Sequence, residues 1–238
     1  MSVLIDNAST ASIAGSSSSS AEITGFTIGS NTNRRLFVAV TFDGTYSPVS
    51  GITHNAKPMT LLGTYDIGAN RPVYVYEMIA PDVGTYPIEA TFSGSNNTPA
   101  ISALSVHNAY QGDVSASTAT GGGSGSDLTV SGISAVSGDM LIGFVAWNNV
   151  LPDQISDGEP GQLVQSAFSA GPFFVLLAVS TNTADSVSEV MSWAAPANAN
   201  GAFAFSLPDA GATGPNTPVN PSITNLLATS ARLNWEQG

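Results

Sequence analysis

The sequence predicts an all-β protein, a two-sheet antiparallel β-sandwich of jelly-roll-like topology built from two pseudo-repeated halves. Three observations predict it. Short β-rich runs alternate with turn clusters from end to end, and no stretch keeps a capped helical period. Only 9% of the residues are charged although 42% are hydrophobic, so the polar surface is made of Ser, Thr, Asn and Gly, which suit strands and turns. The pattern of the first half also recurs in the second.

Leu36 to Thr41 is almost continuously apolar and reads as a central strand. Val73 to Met78 alternates, with Tyr74, Tyr76 and Met78 on one face and Val73, Val75 and Glu77 on the other. Runs at Ile88 to Phe92 and Ala100 to Val106 continue the series. The turn signals between these runs are Asp43-Gly44, Ser50-Gly51, Gly68-Ala69-Asn70 and Ser93-Gly94-Ser95-Asn96-Asn97.

The repeat sets Ile23 to Ser30 and the strand Leu36 to Phe42 against Leu128 to Asp139 and the strand Met140 to Trp147. Met59-Thr-Leu-Leu-Gly63 and Val73 to Met78 then match Gln162-Leu-Val-Gln-Ser166 and Phe173 to Val179. Two further strands close each half: Tyr86 to Phe92 with Ala100 to Val106, and Ser186 to Trp193 with Gly201 to Leu207. About five strands make a marginal sheet alone, whereas two such sheets face to face bury a core. The expectation is one sandwich over 1–208, with halves at about 20–110 and 125–208; two consecutive smaller sandwiches are the alternative. Ser115 to Asp127 reads as an exposed connection, and Met1 to Ser20 as an N-terminal arm made flexible by its serine run. Residues 209–221, rich in Pro and Gly, read as a linker before a distinct segment, 222–238.

Composition excludes several function classes. Seventeen acids against five Lys and Arg give a net charge of −12, which repels nucleic acid and anionic membranes. The chain has no cysteine, so disulfides, thiolate metal sites and cysteine nucleophiles are absent. The opening Met-Ser-Val-Leu-Ile-Asp-Asn has no basic region ahead of an apolar stretch, and export through a signal peptide is not expected. No run is apolar and long enough for a membrane-spanning helix.

No enzyme site is legible. The two histidines, His54 in a turn and His107 at a strand end, read as structural, and no Gly-x-Ser-x-Gly elbow occurs. The acids Asp66, Glu77, Asp82, Glu89, Asp139, Asp185 and Glu189 are scattered, where glycoside hydrolysis needs a facing pair. Asp153-Gln-Ile-Ser-Asp157-Gly-Glu159 is oxygen-rich but departs from calcium-loop spacing and reads as a solvated loop. Gly121-Gly-Gly-Ser-Gly-Ser126 leads into a strand, not the helix a phosphate loop requires. Trp147, Trp193, Tyr74, Tyr76, Phe203 and Phe205 could stack on sugars, though alternating strand aromatics are more often core. No catalytic residue, cofactor site or metal site is therefore assigned.

Gly51-Ile-Thr-His-Asn-Ala-Lys-Pro-Met-Thr-Leu-Leu-Gly63, Val73-Tyr-Val-Tyr-Glu77, Ala80-Pro81, Gly84-Thr-Tyr86, Thr91-Phe-Ser-Gly94 and Ala202-Phe-Ala-Phe-Ser-Leu207 together resemble a β-sandwich module of phage virion structural proteins and bacterial surface proteins. Where that module usually has paired glycines, this chain has Asn55-Ala56, so its turn there is expected to differ. Pro221, Leu226, Thr229 to Leu233 and Trp235 resemble the opening strands of a fibronectin type III module. The resemblance implies a non-enzymatic virion structural protein of a tailed phage, displayed on the particle as a capsid-decoration or fibre-like subunit. It implies other virion proteins as partners, homo-oligomerisation, and weak adhesion to glycans. The alternative it leaves is a carbohydrate-binding or adhesion module on a bacterial cell surface.

Overall fold

A computed structural model describes residues 2–12, 17–43, 47–65, 72–114, 119–148, 154–170 and 175–212. Asp66, Gly68 to Arg71, Asp153, most of the 209–221 segment and all of 222–238 lie outside the described residues. The described chain is all-β and antiparallel, without a helix.

The first half supplies β1 (Leu4–Ser12), β2 (Ser17–Ile28), β3 (Arg35–Asp43), β4 (Val49–His54), β5 (Lys57–Pro58), β6 (Thr60–Tyr65), β7 (Val73–Ile79) and β8 (Gly84–His107). The second supplies β9 (Ala119–Ser134), β10 (Met140–Asn148), β11 (Ser156–Asp157), β12 (Leu163–Ala170), β13 (Val175–Thr183) and β14 (Ser188–Leu207). The sheets run β5-β4-β8-β3-β7-β6 and β11-β14-β10-β13-β12, with β1 and β2 on β8 and β9 on β14. The two orders match apart from β5, which has no counterpart in the second sheet. The apolar run at Leu36 to Thr41 is central, as expected, with β3 held between β7 and β8.

Three landmarks fix the register between the halves. Asn33 and Gly138 both have positive φ, 52° and 97°, two residues ahead of β3 and β10. Ala80 N–H donates to Arg34 O at 3.0 Å as Ala184 N–H does to Asp139 O at 2.9 Å. A bulge interrupts β6 between Leu61 and Gly63 and β12 between Val164 and Ser166. In this register Arg35 occupies the place of Met140, and Glu77 that of Thr181.

Each sheet bends back on itself. The first part of β8 pairs with β2 and β4, and its last part with β1 and β3. The corner lies near Thr98, whose φ is 44°, just before Pro99. In β14 the corner is the register shift between Ala194 and Asn198, which spans Pro196. Proline has no N–H to give a ladder and restricts the residue before it, so it suits a corner.

Folding over encloses one apolar core within each half. Ile23 and Phe26 of β2, Ile52 of β4, and Ile88 and Phe92 of β8 pack with Leu36, Val38 and Phe42 of β3 and Tyr74 and Tyr76 of β7. The Phe42 and Phe92 rings meet edge-on at 5.6 Å. The second half encloses Trp147, Trp193, Met191, Val130 and Leu176 in the same way. A third core lies between the halves, where Phe37, Val75, Leu104 and Val106 meet Ile142, Phe144, Val179, Phe203 and Phe205. There β1 lies against β12, β8 against β13, and β6 against β14, the order a pseudo-two-fold axis produces. Ala109 and Asp209, which follow the last strands of the two halves, form an antiparallel bridge. The sandwich expected between the sheets is accompanied by a self-wrapped core in each half.

Three expectations are corrected. Leu4 to Ser12 is a strand paired along β8, and Ser17 to Ser20 begins β2, so these described parts of the N-terminal arm are built into the sheet. The junction from Ala119 to Asp127 is also strand, paired with β14 and not an exposed connection. Ser93 to Asn97 lies within β8. Asn96 is buried there, and its side chain accepts from Ser47 N–H and donates to Ser47 O, both at 2.8 Å.

Candidate functional site

Several acids in both halves hold turns or join strands. Asp157 accepts from Val164 N–H at 2.9 Å and from Gln162 Nε2 at 3.2 Å. Gln162 Nε2 also donates to Ser192 O at 2.7 Å, and Glu159 accepts from Ser192 Oγ at 2.8 Å. The described part of the 153–159 cluster thus ties β11 and its loop to β12 and β14. Asp139 accepts from Val136 N–H at 2.9 Å, and burial raises its pKa. Glu189 takes the N–H groups of Asp185 and Ser186, and Asp6 takes that of Gly29. A carboxylate that receives backbone N–H groups locks a turn. Among the described residues no three of His, Cys, Asp and Glu stand together as a metal cluster.

His54 ends β4 beside a two-residue hairpin. Asn55 and Ala56 both have positive φ, 51° and 57°, as a type I′ turn requires, and Thr53 pairs with Pro58 across it. Residues other than glycine enter this conformation only at a cost, smaller for Asn55 than for Ala56. The turn is braced by Asp82, which accepts from Lys57 Nζ and Asn55 Nδ2, both at 2.8 Å. The Lys57 hydrogen bond, then that from Asn55, lowers the pKa of Asp82. The His54 ring is fully buried, edge-on to Tyr86 at 5.8 Å, and neither ring nitrogen has a hydrogen-bond partner. Burial lowers its pKa from 6.5; Asp82 opposes this and Lys57 adds to it. His107 is half-buried at the end of β8, paired in register with Leu4.

All six aromatics considered as a sugar platform are core. Trp147 and Phe205 are 0% exposed, Trp193 1%, Phe203 2%, and Tyr74 and Tyr76 8% each. Trp193 Nε1 donates to Ser180 Oγ at 2.9 Å inside the second half. The expected alternation of β7 holds, and both of its faces are covered: Tyr74 and Tyr76 enter the first-half core, and Val73 and Val75 the shared one.

The polar group with the most distinctive surroundings is Arg35, which the sequence marks only as one of five cationic residues. It is fully buried at the rim of the shared core, over the Phe37 ring at 5.3 Å. Its guanidinium pairs with Glu77 and donates to Tyr110 O and Gly112 O, both at 2.9 Å. Burial pulls its pKa down, and Glu77 and Asp113 oppose this. Beside the pair a cleft of about 580 Å³ opens between β6, the end of β7 and residues 111–113. Glu77 lines it, together with Leu61 and Ile79, which are 46% and 44% exposed. A second, smaller cleft of about 260 Å³ lies among Glu159, Asn182, Asp185 and Glu189. The only sequence signal for Arg35 was a cation opening an otherwise apolar strand.

In comparison with known proteins, this chain matches no family model, no curated protein and no solved structure.

Proposed function

We propose that the chain is a non-enzymatic structural protein of a tailed-phage virion, displayed on the particle exterior as a capsid-decoration or fibre-like subunit. The observation that carries this reading is the use of the acids. Asp6, Asp139, Asp157, Glu159 and Glu189 each brace a turn or join strands, so the polar chemistry serves the scaffold. The motifs of 51–63, 73–94 and 202–207, which resemble modules of phage and bacterial surface proteins, point the same way, and so does an acidic, Ser/Thr-rich surface. In this reading the topology is jelly-roll-like, 222–238 opens a fibronectin type III-like module, and the partners are neighbouring virion proteins and further copies of the chain.

Mass spectrometry of purified particles tests the reading. A fixed, high copy number of this polypeptide per particle is expected. Its absence from intact particles, with the chain recovered only as free protein, contradicts it.

A further inference from the structure

Among the described residues the edge of β6 is open where its pseudo-symmetric counterpart is flanked. Both β6 and β12 end their sheets and pair on one side only, with β7 and β13. The two-fold relation lays β1 against β12 and calls for the first part of β9 against β6, yet among the described residues β9 makes no comparable approach. The strand Thr-Leu-Leu-Gly-Thr-Tyr carries neither a charge nor a proline, two of the devices that usually protect an edge, and its only such feature is the bulge at Leu62. Its outer N–H and C=O groups therefore form a template for one more strand, about 4.8 Å away.

The chemistry beside that edge selects the occupant. The cleft along β6 offers apolar Leu61 and Ile79 together with the carboxylates of Glu77 and Asp113. Arg35 engages Oε2 of Glu77, and Oε1 has no hydrogen-bond partner among the described residues. A second copy is a poor match at this edge, because pairing β6 with β6 would set its own Glu77 and Asp113 against the same two carboxylates. We infer that β6 is a docking edge for an extended segment of another protein, one that alternates apolar residues with a lysine or arginine directed at Glu77 and Asp113. The added strand supplies the backbone bonds, and the basic side chain sets the register. This inference does not depend on the virion reading.

The test titrates the isotope-labelled protein with a blocked peptide, acetyl-Thr-Val-Lys-Val-Thr-amide, and with its Lys→Glu counterpart, following amide shifts by NMR. The lysine peptide is expected to shift residues 60–65 and 111–113 saturably by about 1 mM. The glutamate peptide is expected to bind at least about tenfold more weakly, and Leu61→Lys, at an exposed position, to weaken the lysine peptide to the same degree. Unshifted amides elsewhere show that this variant stays folded. No shift in β6 at that concentration, equal binding of both peptides, or shifts centred on β12 overturns the inference. So does a protein dimer that dissociates on Leu61→Lys, since the edge would then belong to a second copy.

Discussion

The two halves share a strand order and a register, but they close the rim of their common core differently. The first half uses a buried ion pair, Arg35 with Glu77, roofed by the carbonyls of Tyr110 and Gly112. The second half has Met140 and Thr181 at the corresponding places, with Met140 packed on the shared core. Their private cores differ as well. The first is filled mostly by Ile, Val, Phe and Tyr side chains with three alanines, while the second sets Trp147 and Trp193 among six alanines. One backbone plan thus accommodates two packing solutions, as expected when total volume and patterning are kept while individual residues drift.

The largest expected effect comes from grafting one rim onto the other. Arg35→Met alone leaves Glu77 without its cation and should cost about 3–5 kcal/mol, read from denaturant unfolding. Adding Glu77→Thr to that variant reproduces the second half's pair and should recover most of the loss, because a buried ion pair replaced by packed neutral groups is often neutral in stability. A double variant no more stable than Arg35→Met would break the equivalence of the two rims.

Glycines sharpen the comparison next. A Cβ on Gly63 would lie 2.5 Å from the Phe203 ring across the shared core, and one on Gly143 2.6 Å from the Trp193 ring inside the second half. Both rings are buried and cannot step aside, so each Gly→Ala should cost about 1–3 kcal/mol through overpacking. Thermal unfolding of the two variants measures this, and a neutral result at either site contradicts the packing described there.

His54 carries the expected pH dependence of the first half. Its folded pKa lies below its ordinary value of 6.5, so the unfolded chain binds the proton more readily. Its contribution is therefore fully present above 6.5 and is lost as the pH falls toward the folded pKa. His54→Phe, which removes two unpartnered ring nitrogens, should raise stability at neutral pH by about 1–2 kcal/mol and flatten the acid limb. Unfolding curves collected across that range decide it. Smaller still is Ala56→Gly, which relieves a left-handed alanine and should stabilise the hairpin by about 1 kcal/mol, visible as a higher melting temperature.

The strands with apolar alternation were legible in the sequence because each side chain reports its own face. The faces of β7 and the central place of β3 follow directly from that. Three features were not legible, and the reasons are physical. The Gly/Ser run in β9 has the composition of a linker, and what makes it a strand is pairing with Asn198 to Ala204, some eighty residues away. Ser93 to Asn97 carries turn residues because a strand that turns a corner needs them, and the buried Asn96 satisfies the backbone of Ser47. The division into three cores was hidden because a strand buried on both faces looks the same whether a second sheet or its own sheet covers it. At the candidate site, Asp157 was expected in a solvated loop, but it lies half-buried in β11 and accepts Val164 N–H and Gln162 Nε2, partners that only the strand pairing brings to it. The Arg35 pair was invisible, since Glu77 lies forty-two residues away in sequence.

The central claim is that each half wraps its own core and that only the third core is shared. Side-chain NOE spectroscopy on protein with assigned aromatic rings tests it most directly. The account predicts cross-peaks between Phe37 and Phe205, whose ring centres lie 4.8 Å apart, and between Phe42 and Phe92 within the first half. Cross-peaks from Phe42 or Phe92 to Trp147 or Trp193, in place of these, would show one core common to both sheets and contradict it.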